Sequence, residues 1–234
     1  MKKVSLILSA VVMTLMMLSS CGGGASKEEG ASTEEGASAE EGASAEVTIG
    51  KQVWMSENLN VDKFRNGDPI PEAKTKEEWK RAGKNGEPAW CYYDNDPADG
   101  EKYGKLYNWY AVNDSRGLAP QGWHVPSDAE WMQLTNYLGG GSVVGTKMKS
   151  TDFWADKKGV SGNGTNESGF SGLPGGNRGL DGAFNYVGEV GSWWSSTESR
   201  KGDARLRYLY YNTGGVGWGY GYKGDGLSVR CLRD

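Results

Sequence analysis

The sequence predicts an irregular α+β domain, with few short helices and many short strands, over residues 47–234 of the 234-residue chain. Three observations carry that reading. Thr75 with Glu78, and Ser127 with Glu130, are capping boxes that start two short helices. Elsewhere, aromatic, β-branched and Gly residues come in short runs, which favour strands joined by tight turns. Residues 191–234 concentrate this pattern, from Trp193-Trp194-Ser195 through Tyr208-Leu209-Tyr210-Tyr211-Asn212 and Trp218-Gly219-Tyr220-Gly221-Tyr222 to Ser228-Val229-Arg230-Cys231.

The chain starts with segments that need no fold. Lys2-Lys3 precede an apolar run, residues 4–18, too short to span a bilayer and built like a secretory signal peptide, so residues 1–20 read as a leader. Leu18-Ser19-Ser20-Cys21 resembles a bacterial lipobox, which implies cleavage before Cys21 and lipidation of that residue. The alternative is an ordinary cleaved signal that happens to contain a cysteine. Residues 21–46 then repeat Ala-Ser-x-Glu-Glu-Gly and hold nothing large and apolar, so nothing offsets the entropy of ordering them. Like charges extend the segment into a disordered acidic tether. Acidic residues soon after a lipidated cysteine also resemble the surface-export signal of Bacteroidetes lipoproteins. That resemblance implies an outer-membrane, cell-surface location, with the membrane reached only through Cys21.

Charge narrows the partners. Setting aside Lys2, Lys3, Lys27 and the seven glutamates of residues 28–46 from 26 basic and 30 acidic residues leaves 23 of each in 47–234. A neutral domain argues against a nucleic-acid footprint and against steering of charged partners. With Cys21 lipidated, Cys91 and Cys231 are an even pair on an oxidising route. A disulfide between them would add on the order of 4 kcal/mol; a lone reactive thiol is the competing reading.

Taken in order, residues 47–49 and 52–55 alternate around Gly50-Lys51 and read as a first hairpin. Arg65-Asn66-Gly67-Asp68-Pro69 is a turn. The first helix starts at Thr75 and stops near Gly83, Asn85-Gly86 turns the chain, and residues 89–93 look like a buried strand. Residues 94–101 invite a calcium reading, but Asp99 stands where such a loop needs glycine, and a solvated acidic turn fits better. Residues 106–112 are apolar core, strand or helix. The second helix runs from Asp128 to about Leu138 with Trp131, Leu134 and Leu138 on one stripe. His124, the single histidine, could be a lone base, but a packed or capping role is commoner and no second histidine exists for a metal cluster. Residues 159–182 form a Gly-, Asn- and Ser-rich loop anchored by Phe170, Leu173 and Phe184.

No phosphate loop, nucleophile elbow or dinucleotide fingerprint occurs, so no catalytic residue, cofactor or metal is assigned. The segments Tyr103-Gly104-Lys105-Leu106-Tyr107-Asn108-Trp109-Tyr110, Gly122-Trp123-His124-Val125-Pro126-Ser127-Asp128, Trp193-Trp194-Ser195-Ser196-Thr197 and Leu227-Ser228-Val229-Arg230-Cys231-Leu232-Arg233-Asp234 together resemble the Fibrobacter succinogenes major paralogous domain. The second and last also resemble the formylglycine-generating-enzyme branch of the C-type-lectin-like fold. This resemblance implies a C-type-lectin-like α+β body with adjacent termini and a loop-built ligand face. The enzymes in that group use cysteines or metal-binding histidines, whereas this chain offers one histidine and two cysteines far apart in sequence, so their activity is not carried over. The Glu-Pro-Asn, Gln-Pro-Asp and Trp-Asn-Asp tripeptides of the group's calcium lectins are absent. Retroelement-diversified receptors of the fold carry their variable face near the C-terminus, where Tyr208, Tyr210, Tyr211, Asn212, Trp218, Tyr220 and Tyr222 fall. Crowded amphipathic rings without a nearby nucleophile or base suit binding better than catalysis. The expected function is a surface-displayed module that recognises an extracellular glycan or protein through these seven residues, with Trp193 and Trp194 divided between core and surface. The alternatives are a structural component of the cell surface and, further off, an enzyme.

Overall fold

In the computed structural model, which describes residues 45–234, the chain opens with the hairpin its alternation predicts. β1 (Glu46–Ile49) and β2 (Gln52–Met55) pair antiparallel across Gly50, whose φ of 67° is the left-handed value a tight turn requires. β1 takes in Glu46, the last residue read as tether. The leader, Cys21 and the rest of the tether lie outside the described residues.

α1 (Lys76–Asn85) starts at the Thr75/Glu78 capping box and ends at Gly86 in the left-handed conformation. It therefore runs through Gly83, where sequence placed its end. Gly83 costs such a helix about 1 kcal/mol relative to alanine. The gain is close approach: a Cβ at Gly83 would stand 3.3 Å from the Gly224 Cα, so helix and turn backbones touch. β3 (Trp90–Cys91) is shorter than the predicted strand, because a 3-10 turn takes Tyr93–Asn95. α2 (Pro97–Tyr103) occupies the supposed acidic turn. Asp96 caps it by accepting from the Ala98 amide, and Pro97 sits at its first position, a start signal the acidic composition masked. Residues 106–112 turn out to be both alternatives in succession: β4 (Leu106–Tyr107), then α3 (Trp109–Val112), which Asn108 caps.

β5 (Trp123–His124) leads into α4 (Asp128–Tyr137), where the Ser127/Glu130 box forms and Trp131 and Leu134 are buried. α5 (Val144–Met148) precedes the long loop, and Phe170 is fully buried within it as the anchor expected. β6 (Gly175–Arg178) already lies inside that loop. β7 (Phe184–Val187), β8 (Val190–Arg200), β9 (Asp203–Tyr210), β10 (Val216–Tyr222) and β11 (Leu232–Arg233) complete the α+β chain.

One sheet has the order β1-β2-β11-β5, so the last strand closes on the first hairpin and the ends of the domain meet. Arg233 is paired there with Glu46. A second sheet has the order β10-β9-β8-β6-β7, and β3 and β4 form a two-stranded ribbon. The strands act as partitions between buried clusters, because successive side chains point to opposite faces. On β8, Trp193 enters the cluster of Trp54, Trp131 and Phe170, while Trp194 enters that of Tyr107, Trp109 and Val229. Both rings are 0–1 % exposed, so neither is divided off to the surface as expected. β2 sorts Trp54 from Met55 in the same way.

This sorting also separates the cysteines. Cys91 packs with Leu106 and Trp79, and Cys231 with Tyr107 and Trp90, on opposite sides of the β3–β4 ribbon. The predicted disulfide is absent: both thiols are free and buried. Burial pushes each thiol up to about 12. Their unfolded-state value is near 9.0, so above pH 9 the unfolded chain releases these protons first. Stability contributed by the neutral thiols is thus whole below pH 9 and is lost between pH 9 and 12. Alkylation of the folded chain, mapped by mass spectrometry, should leave Cys91 and Cys231 unlabelled, and denaturant should expose both. Labelling of neither after denaturation without reductant would restore the disulfide.

A polar network ties the clusters together. Arg230, fully buried, donates to the Asn58 Oδ1 at 2.8 and 3.2 Å and to the carbonyls of Met55 and Phe170 at 3.1 and 2.5 Å. Trp193 Nε1 donates to the same Oδ1 at 2.8 Å, and Asn58 Nδ2 donates to the Tyr103 carbonyl at 2.8 Å. Burial lowers Arg230 to about 9.

Candidate functional site

β10 is an edge strand with glycine at every second position, so one face bears rings and the other bears none. Trp218, Tyr220 and Tyr222 are 67, 58 and 61 % exposed. Their register partners on β9 are Arg207, Arg205 and Asp203, which places those residues on the same face. Arg205 lies over the Trp218 ring at 5.8 Å and Arg200 over Tyr220 at 4.6 Å, each a cation–π contact. Arg207 is held at 2.6 Å by Asp128.

The glycines are needed by the opposite face. A Cβ at Gly217 would lie 2.0 Å from the Tyr208 ring, and one at Gly221 would lie 3.1 Å from both Leu206 and Trp194. Tyr208 therefore lies on the back of β10, edge-on to Tyr210 at 5.3 Å between centroids. The seven residues singled out by sequence do not form one surface. Trp218, Tyr220 and Tyr222 share the front, Tyr208 and Tyr210 the back. Tyr211 packs against the buried cluster of Trp193, and Asn212 is exposed in the following turn. Lys149 braces that turn. It is buried, donates to the carbonyls of Tyr211 and Thr213 at 3.3 and 2.8 Å, and is lowered by burial to about 8.

One cavity flanks the front of β10 and a second lies beyond its Tyr222 end. One, of about 590 Å³, lies beside α4, where Trp218 and Val216 face Met132, Asn136 and Arg205. The other, of about 600 Å³, lies beside α1 and is walled by Tyr222, Tyr110 and a group of lysines and arginine. Asp225 holds the turn at that end by accepting from the amides of Tyr222 and Leu180 at 3.0 and 2.8 Å, and burial raises it to about 6. Neither the α4 groove nor the α1 cavity was legible beforehand, because helix and strand meet there across long sequence separations.

His124 is occupied on both sides. Nδ1 lies 2.8 Å from Asp234 and Nε2 lies 3.0 Å from Glu130, so neither ring nitrogen is open to a substrate. The arrangement links the last residue to the start of α4. Burial raises Glu130, but hydrogen bonds from Ser127 and His124 outweigh it and leave this carboxylate below its usual range. Among the described residues no cluster of three His, Cys, Asp or Glu side chains could hold a metal ion. No helix among them is long and apolar enough to cross a membrane.

An α+β body closed by its last strand, with one ring-bearing sheet edge, thus spans residues 46–234. The model of the Fibrobacter succinogenes major domain matches residues 47–233, and the chain belongs to that family. No curated protein and no solved structure matches the chain.

Proposed function

We propose that the chain is a binding module, displayed at the cell surface on lipid attached to Cys21, with a C-type-lectin-like body that recognises an extracellular glycan or protein. One observation carries the reading: three large rings stand bare in a row on a strand whose alternate positions are glycine. Exposed aromatic rows of this kind are uncommon unless something covers them. Residue by residue, Trp218, Tyr220 and Tyr222 make the contact surface, with Tyr208 as their rear support. The closure of β11 on the first hairpin agrees with the adjacent termini of a C-type-lectin-like body, and Cys21 supplies the membrane link in this reading.

A glycan fits the front of β10 best. Flat rings offer stacking faces for the C–H surfaces of sugars, while Arg205 and Asn136 offer hydrogen bonds beside the α4 groove. Arrays of glycans and of surface proteins, probed with the purified chain, test this directly. Trp218→Ala should weaken the ligand found by tenfold or more while leaving the denaturation midpoint in place, since the ring is mostly in solvent. Unchanged affinity in both Trp218→Ala and Tyr220→Ala would refute the assignment.

A further inference from the structure

We infer that the α1 cavity at the Tyr222 end of β10 is an anion subsite, and that the ligand is an acidic oligosaccharide carrying carboxylate or sulfate groups. This inference rests on reading the front of β10 as the binding face, and it names what that face selects.

The walls are unbalanced in charge. Lys80, Arg81 and Lys84 line the cavity from α1 and Lys223 lines it from the turn after β10, while no Asp or Glu lines it. Lys223 is already paired with Glu198 at 2.5 Å. Lys80, Arg81 and Lys84 make no ion pair or side-chain hydrogen bond among the described residues. Two acids share their helix: Glu78 accepts from the Thr75 amide at 2.9 Å as the N-terminal cap and also faces Arg81, while Glu77 makes no ion pair among the described residues. The helix dipole favours a cation in the last turn, which accounts for Lys84. It does not account for the other two, and like charges four residues apart on a helix repel by a few tenths of a kcal/mol. A domain that is neutral overall therefore gathers positive charge along this cavity, with Lys80 and Lys84 free of any ion pair among the described residues, and an anion would relieve it.

The place of the cavity points to a sugar chain. Tyr110 and Tyr222 supply ring walls beside the cations, and the contact between Gly83 and Gly224 forms a floor of bare backbone. Trp218 lines one cavity and Tyr222 the other, with Tyr220 between them. Four strand steps separate Trp218 from Tyr222, about 13 Å, so one ligand lying along β10 can stack on three rings and place its charge at α1.

Calorimetry with the purified full chain tests this, using tetragalacturonate as the carboxylate probe, a chondroitin sulfate tetrasaccharide as the sulfated probe and cellotetraose as the neutral one. At least one acidic probe should bind tenfold or more tightly than cellotetraose, and weaken with salt. The variant K80A/R81A/K84A should bring that probe to the neutral level with its denaturation midpoint kept, and Trp218→Ala should weaken acidic and neutral probes alike. Which acidic probe responds separates carboxylate from sulfate. Equal binding of acidic and neutral probes, or acidic binding unchanged in the triple variant, overturns the subsite but leaves the β10 face standing. Loss of all three overturns both. Inorganic sulfate binding as tightly as the tetrasaccharides, or a glutamate tetrapeptide or single-stranded DNA binding more tightly, overturns the sugar class.

Discussion

Asn58→Ala is expected to destabilise the protein by about 3–5 kcal/mol, although it removes only a few side-chain atoms. Its Oδ1 accepts from Arg230 twice and from Trp193 once, all inside the core. After substitution the guanidinium keeps only the Met55 and Phe170 carbonyls, and the Trp193 N–H has no acceptor. A buried cation stripped of its partner is the costly case, because water cannot replace what is lost. Urea titration should show the drop as a lower midpoint with the slope kept. The coupling is also testable. Trp193→Phe deletes one of the donors, so in the Asn58→Ala background it should cost less than it does alone. Equal costs in both backgrounds, or an Asn58→Ala loss below about 1 kcal/mol, would mean the network adds little to stability.

Trp194→Ala should cost a similar amount, about 3–5 kcal/mol, for a different reason. The ring is fully buried against Tyr107, Trp109 and Leu206, and its Nε1 donates to the Tyr107 carbonyl at 2.8 Å. Truncation leaves a cavity and removes one of the two donors of the Tyr107 carbonyl, which keeps only the Leu227 amide at 3.1 Å. Trp194 faces away from the Asn58 network, so the pair Trp194→Phe and Asn58→Ala should add to within about 0.5 kcal/mol. Strong non-additivity would show that β8 does not separate the two clusters mechanically.

Local chemistry was legible in the sequence and spatial assembly was not. The two capping boxes and the first hairpin stand where read, because each is decided within a few residues. Tertiary contact decided the errors. α1 passes Gly83 because Gly224 packs on it, and most of the supposed acidic turn becomes the helix Pro97–Tyr103 because Asp96 and Pro97 start one. The even cysteine count suggested a bridge, but alternation on β3 turns Cys91 into one cluster while Cys231, just before β11, packs into another. The tail was found as ring-rich without its division into front and back. The partner strand decides that, and glycine at alternate positions was the clue. Lys80, Arg81 and Lys84 drew no reading from sequence, because the cavity they line exists only where the turn at Gly224 meets α1.

The place of β11 has a consequence for biogenesis. Leu232 pairs with both Trp54 and His124, so the first hairpin lacks its neighbour until synthesis has reached residue 232. Contacts this distant along the chain slow folding. If the leader works as read, the chain crosses the inner membrane before this latch can engage, and folding is completed on the far side. Cutting away the final four residues should leave a species that holds its hydrogen bonds poorly around Trp54, long after translation has ended.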